Sequence, residues 1–240
     1  MEELVNIEDL VISYNDRKTF AVDHLSFKVY PGEVLGILGS NGAGKTSTMR
    51  CLSGITPPTS GVIHVAGYDL SNPAGSDAAR SILGYCPDTG GLIRQATPRE
   101  HIALNLGVRG KLSSWFYALE LIERFGLGPV LDTETMGFSH GMSRRLSVLL
   151  AVLASEKVLI LDEPFDGVDP LGVEVTIDLI RKAKEEGLAV IISTHLLSLL
   201  SEVSDRICVM NAGKMVADDL AINFKGEEGR LKYTTLLKAK

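Results

Sequence analysis

With 240 residues, the chain can bury about 70 to 75% of its unfolded surface and needs neither disulfides nor a structural metal to fold. A net charge of −6, from 30 acidic against 24 basic residues, excludes a protein built mainly to coat nucleic acid or an anionic bilayer. Cys51, Cys86 and Cys208 are too few and too far apart for a disulfide framework or a zinc-ligand spacing, which points to a reducing compartment, the cytosol.

The acidic start Met1-Glu2-Glu3-Leu4 lacks the basic and apolar regions of a secretory signal. No window reaches the roughly 18 uninterrupted apolar residues of a membrane span, so membrane contact is expected only through a partner chain. Residues 4–37 read as short strands: Leu4 to Ser13, Leu25 to Val29, then the turn Pro31-Gly32 and the apolar run Val34 to Leu38. A helix is expected from about Lys45 to Leu52, ending at Gly54, and a further strand between Gly61 and Gly67. From Pro98 to Ala154 the pattern is helical, with Trp115, Phe116, Leu119, Leu121, Ile122 and Phe125 at spacings of three and four, Gly126 and Gly128 as a stop, and a second helix from Ser143. Val158 to Leu161, Gly172 to Glu186 and Ala189 to Ser193 alternate strand, helix, strand, and both strands are continuous apolar runs suited to a parallel sheet buried on both faces. Arg206 to Met210 and Lys214 to Val216 form a hairpin about Asn211-Ala212-Gly213, and Asn223 to Lys240 is a polar, basic, peripheral tail.

The stretch Gly39-Ser40-Asn41-Gly42-Ala43-Gly44-Lys45-Thr46 fits GxxxxGK[ST] at every fixed position and directly follows the strand Val34 to Leu38. Glycines let main-chain N–H groups turn toward one polyphosphate, Lys45 reaches its terminal phosphates, and the Thr46 hydroxyl is a ligand for Mg²⁺ at the start of a helix whose dipole favours anions. Downstream, Val158-Leu159-Ile160-Leu161 runs into Asp162 and Glu163, placing two acids at the sheet edge where open α/β sheets bind ligands. Adjacent buried acids call for a cation, so Asp162 is read as a Mg²⁺ ligand and Glu163 as the group that polarises an attacking water. His195, just after the next strand, sits at the same edge, where it could bond a phosphate or orient that water.

With these motifs together, the chain resembles the nucleotide-binding domains of ATP-binding cassette transporters over about residues 4–218. Besides the phosphate loop and Leu161-Asp162-Glu163-Pro164, Phe138-Ser139-His140-Gly141-Met142 stands at the family signature, Gly167-Val168-Asp169 at its D-loop, and His195 at its switch histidine. The resemblance implies an α/β fold: a P-loop NTPase core of RecA type with an N-terminal antiparallel β subdomain and a helical subdomain carrying the signature. Its boundaries would be a core lobe of about 1–87 and 155–220, a helical subdomain of about 88–154 and a tail of about 221–240. It implies ATP and Mg²⁺ as cofactors, with Lys45, Glu163 and His195 catalytic. Tyr14, Gly39, Ser40, Asn41, Gly42, Ala43, Gly44, Lys45, Thr46, Ser47, Ser139, Gly141 and Asp169 would hold nucleotide, and Thr46, Asp162 and Asp88 the metal. Two such domains would close head to tail as a homodimer or heterodimer on a separate transmembrane permease, at the cytoplasmic face of the cell membrane, with no nucleic acid bound. The runs Gly84 to Pro87, Thr97 to His101 and Arg109-Gly110 look like the A subfamily and the bacterial drug, lipid and peptide exporters similar to it.

Two residues depart from the family pattern. His140 replaces a glycine of the signature and would either crowd a partner's nucleotide or point away from it. In Tyr85-Cys86-Pro87-Asp88 the family's glutamine is replaced by Asp88, which keeps a ligand oxygen, loses the amide donor and adds charge, so slower or altered hydrolysis is expected; a shifted alignment would use Gln95 instead. Arg144 and Arg145 would serve either an anion or a solvated basic face. Beside a hydrolysing transport subunit, a nucleotide-gated regulatory module and a soluble member acting on ribosomes or DNA remain as alternatives.

Overall fold

The computed structural model describes residues 2–14 and 20–238. Strands β1 (Val5–Ile12) and β2 (Val22–Val29) turn Val5, Ile7, Leu25, Phe27 and Val29 inward between exposed polar residues, as in a sheet with one solvated face. A bulge at His24, with φ 57°, shifts that alternation so that Val22 is buried as well. β3 (Val34–Gly39) is buried at every position and feeds α1 (Lys45–Leu52). β4 (Ser60–Val65) and the short β5 (Tyr68–Asp69) complete an antiparallel sheet ordered β2-β1-β4-β5.

Helix α2 (Pro73–Ile82) was not anticipated. Asn72 caps it by accepting a 2.7 Å bond from the Gly75 N–H, Pro73 opens it, and the face it buries is made of small residues, Ser76 and Ala79. β6 (Leu83–Cys86) follows. The helical section resolves into α3 (Pro98–Val108), α4 (Trp115–Arg124) and α5 (His140–Ala154). Thr97 and Glu100 form a reciprocal capping box on α3, and Gly126, at φ 65°, stops the chain after α4. α5 starts three residues before the expected Ser143, because Ser139 is its N-cap and Gly141 lies within the first turn rather than breaking it.

β7 (Val158–Asp162), α6 (Pro170–Glu185), β8 (Ala189–Thr194), α7 (Leu197–Val203), β9 (Arg206–Asn211) and β10 (Lys214–Leu220) finish the second sheet, ordered β10-β9-β3-β8-β7-β6. Only β10 runs antiparallel to its neighbour. Leu38 pairs with Thr194, Asp162 with Ser193 and Cys86 with Leu161, so the loops after β3, β6, β7 and β8 all leave from one edge. One apolar cluster joins Ile102, Leu121, Phe125 and Leu149 of the helical section to Leu159, Leu161 and Val190 of this sheet. The helical section is therefore set apart by topology while sharing the core.

The expected peripheral tail is corrected by the structure. Ala221–Phe224 forms a 3-10 turn and α8 (Gly226–Lys238) a helix; Phe224 is 1% exposed, and Tyr233 and Leu236 pack against the core. The polar composition concealed this because three apolar side chains suffice to seat the segment, while Lys232 pairs with Asp219 at 2.5 Å on its outer side. Phe224→Ala is expected to cost about 3 to 5 kcal/mol, the usual range for a buried Phe. Urea unfolding measures it, and an unchanged midpoint would return the segment to the status of an appendage.

Candidate active site

The phosphate loop is shaped by backbone crowding. A Cβ on Gly39 would lie 2.6 Å from the Met210 carbonyl oxygen, and one on Gly44, at φ 104°, would lie 2.4 Å from that of Ala21. Gly44 caps α1 without a side-chain bond and no acid occupies the first turn, so the helix opens its N–H groups into the loop. Ser40, Asn41 and Gly42 are exposed while Ala43 is buried beneath them. Lys45, 6% exposed, donates from Nζ to the Gly39 oxygen at 2.8 Å and lies 3.3 Å from Glu163 Oε1. The Tyr14 hydroxyl donates to Ser47 Oγ at 3.3 Å, setting that half-exposed ring beside the start of α1.

At the end of β7 the two acids differ. Asp162 is fully buried and its Oδ1 accepts from the Ser193 hydroxyl on β8, while Oδ2 is buried with no partner. Burial pushes its carboxyl above the ordinary value, against the Ser193 hydrogen bond and the neighbouring Thr46 hydroxyl, which favour the anion. A buried, unpartnered carboxylate oxygen beside a threonine hydroxyl suits Mg²⁺, which takes one or two protein oxygens and completes its shell with water and phosphate. Glu163 holds φ 48°, an uncommon conformation for a residue with a Cβ, and its N–H bonds both the Ser193 carbonyl and hydroxyl oxygens at 3.1 Å. Its carboxylate bridges Lys45 and His195, whose Nδ1 is 3.1 Å from Oε2. Nδ1 therefore donates, and the other ring nitrogen is left to accept from a donor.

The structure thus gathers Lys45, Thr46, Asp162, Glu163 and His195 at one edge. Ser139 and Gly141 lie elsewhere, at the start of α5; among the described residues no hydrogen bond or ion pair joins them to that group. Ser139 Oγ accepts from the Met142 N–H at 3.2 Å, and a Cβ on Gly141 would lie 2.5 Å from the Gly167 oxygen. His140 folds back onto its own chain, with Nε2 3.1 Å from Asp166 Oδ2. Asp169, expected to hold nucleotide, has both carboxylate oxygens engaged within the chain: Gly172 N–H donates to one at 2.8 Å and Arg145 to the other at 3.2 Å.

Arg144 and Arg145 serve neither of the uses expected of them. Arg144 is 4% exposed and donates to the Pro87 oxygen at 2.5 Å, the Asp162 oxygen at 3.3 Å and the Asp88 main-chain oxygen. Arg145 ties the Phe125 oxygen to Asp169. The Asp88 carboxylate lies 3.5 Å from Arg144 Nη2. Asp88 also borders a cleft of about 470 Å³ shared with Thr46, Arg50, Arg80, Asn105 and Arg109, whereas Gln95 does not line it. The sequence reading missed Ser193 and Arg144 as structural supports. Ser193 carried a signal, a hydroxyl at the end of an otherwise apolar strand, paired in register with Asp162; Arg144 carried none, since a long-range bond to carbonyls leaves no pattern.

Comparison with known proteins gives both a family match and similar solved structures. The family model described as ABC transporter matches residues 22–166. The retinal-specific phospholipid-transporting ATPase ABCA4 of Mus musculus is 34% identical over 238 residues, which cover 98% of this chain and 10% of that protein. The bacitracin transport ATP-binding protein BcrA of Bacillus licheniformis is 33% identical over 219 residues, 91% of this chain and 70% of that one. The chain thus spans about a tenth of the length of the phospholipid-transporting relatives it matches. An ATP-binding subunit of an ABC transporter superposes with a TM-score of 0.83 at 26% identity, covering 99% of this chain and 95% of that one. A dimeric bacterial ABC transporter cassette also reaches 0.83, at 18% identity over 92% of this chain and 99% of that one, a likeness of fold alone.

Because burial raises the Asp162 carboxyl above 3.8, its protonated form is favoured by folding, and that contribution is lost as pH rises through the folded value. Without divalent cation, the wild-type chain should lose stability relative to Asp162→Asn as pH climbs from about 4 toward neutrality. Urea midpoints of both proteins across that range decide it; parallel curves would remove the burial cost assigned to Asp162.

Proposed function

The chain belongs to the ABC transporter family, and from that premise we propose that it is the ATP-binding subunit of an exporter, coupling Mg-ATP binding and hydrolysis to passage of a hydrophobic or amphipathic cargo through a separate permease. The observation that carries this reading is the Lys45–Glu163–His195 cluster at the mouth of α1, with contacts of 3.3 and 3.1 Å. Lys45 exchanges its bonds to the Gly39 and Ser40 oxygens for phosphate oxygens, and the main-chain N–H groups of residues 40–46 cradle the rest. That exchange frees Glu163 to accept a proton from the attacking water, with His195 holding the carboxylate in place. Thr46 and Asp162 would hold Mg²⁺, which when bound would neutralise charge on the phosphates. Tyr14 and Ser47 flank the base and the phosphates.

Ser139 and Gly141 of a second subunit complete the site from the other side, with the unpaired N–H groups at the start of α5 facing the terminal phosphate. Whether that subunit is identical or different, it meets the same phosphate loop. Asp169 acts indirectly, by capping α6 and holding Arg145. The cleft beside Asp88, lined by Arg50, Arg80 and Arg109, supports permease contact next to the metal-binding edge. Among the described residues no helix is long and apolar enough to cross a membrane, so in this reading the subunit is peripheral, held by the permease at the cytoplasmic face. Names of relatives that carry phospholipid and bacitracin support an amphipathic cargo. A purely regulatory module would have no use for a buried Glu163 held at φ 48° against a histidine, which favours hydrolysis.

Glu163→Gln should lower turnover by about 100-fold or more while ATP binding survives. Phosphate release together with size exclusion in ATP measures this, with dimers accumulating in the variant; turnover near the wild-type rate would remove Glu163 from the chemistry.

A further inference from the structure

The Asp88 carboxylate has two possible uses at this edge, the metal or a side chain of its own chain. We propose that Arg144 is a positioning residue that holds the Asp88 carboxylate away from the metal, leaving Thr46 and Asp162 as the protein ligands; this rests on the Mg-ATP reading above. Arg144 is the more deeply placed partner, with its side chain 3% exposed against 38% for Asp88. A buried guanidinium is costly unless paired and hydrogen-bonded, and among the described residues Asp88 is the carboxylate ion-paired with it. The same fork bonds the main-chain oxygens of Pro87, Asp88 and Asp162, so it fixes the ends of β6 and β7 together while it holds the acid. One Asp162 oxygen stands buried without a partner, so the metal already has its ligand there. A third carboxylate beside Asp162 and Glu163 would crowd like charges into a site where, among the described residues, Lys45 is the one lysine or arginine ion-paired with them.

The aspartate at this position therefore goes with the buried arginine fifty-six residues later, and the two neutralise each other. Their separation would turn Asp88 into a competing metal ligand.

Mn²⁺ binding in the presence of a non-hydrolysable ATP analogue, followed by electron paramagnetic resonance, reads this directly. Asp88→Asn should leave the half-saturating Mn²⁺ concentration within about twofold of wild type, while Arg144→Gln, which frees the carboxylate, should lower it by about fivefold or more. Combining the two substitutions should bring it back to the wild-type value, a rescue that a merely structural arginine would not produce. A weakening of about fivefold or more in Asp88→Asn would make Asp88 a metal ligand and overturn the proposal, even if Arg144→Gln fails to fold. An unchanged value in a folded Arg144→Gln would also overturn it. Absence of any Mn²⁺ signal in the wild-type chain would refute the Mg-nucleotide reading itself and this inference with it, whereas a normal wild-type signal with the wrong variant response refutes this inference alone.

Discussion

Two adjacent carboxylates at the end of a wholly buried strand are the constraint on which the rest of this molecule depends. Asp162 is fully buried and Glu163 nearly so, and uncompensated charge at such depth is far more expensive than the net stability of a domain can bear. The neighbouring elements each supply part of the compensation. β8 offers Ser193, whose hydroxyl donates to Asp162 and accepts from the Glu163 N–H. α1 offers Lys45, the loop after β8 offers His195, and α5 offers the Arg144 fork on the Asp162 carbonyl. One oxygen is left over, and it is the one a metal would take.

That compensation works only because four loops leave the parallel sheet from one edge. The register of β3, β7 and β8 puts Leu38 opposite Thr194 and Asp162 opposite Ser193, so residues more than a hundred positions apart in sequence meet. Close approach follows from small residues at the edge: Gly39 touches the Met210 backbone and Gly44 that of Ala21, where a methyl group would collide. The phosphate loop is thus held by the same sheet that delivers the acids.

Local signals were legible in the sequence and distant ones were not. The phosphate loop, the Asp162-Glu163 pair, the buried strands and the mixed α/β architecture could be read because each depends on neighbours within a few residues. α2 escaped because the face it buries consists of small residues, Ser76 and Ala79, which do not stand out as an apolar run. The final helix escaped because a few buried side chains, Phe224 first among them, are enough to anchor a polar segment. The arginines were misjudged for a different reason. Their position early in α5 suggested an anion, but their partners are carbonyl oxygens and acids from other elements, at sequence separations of 18 to 57. Such pairings obey geometry, which composition and spacing do not encode.

The two halves of the proposed site are tied by contacts that involve no catalytic group. Gly141 and Gly167 each lack room for a Cβ because the start of α5 presses on the loop before α6: a methyl on Gly141 meets the Gly167 oxygen, and one on Gly167 meets the His140 ring at 2.4 Å. Arg145 then binds Asp169, which caps α6. The turn at the start of α5 and the loop before α6 are consequently packed as one body, and the exposed His140 ring bonds to Asp166 of the same body. The Ser139 hydroxyl beside it is turned onto its own helix, where it accepts from the Met142 N–H. Since Arg144 on the same helix also grips the ends of β6 and β7, the start of α5 is tied directly to the strand end that carries Asp162 and Glu163.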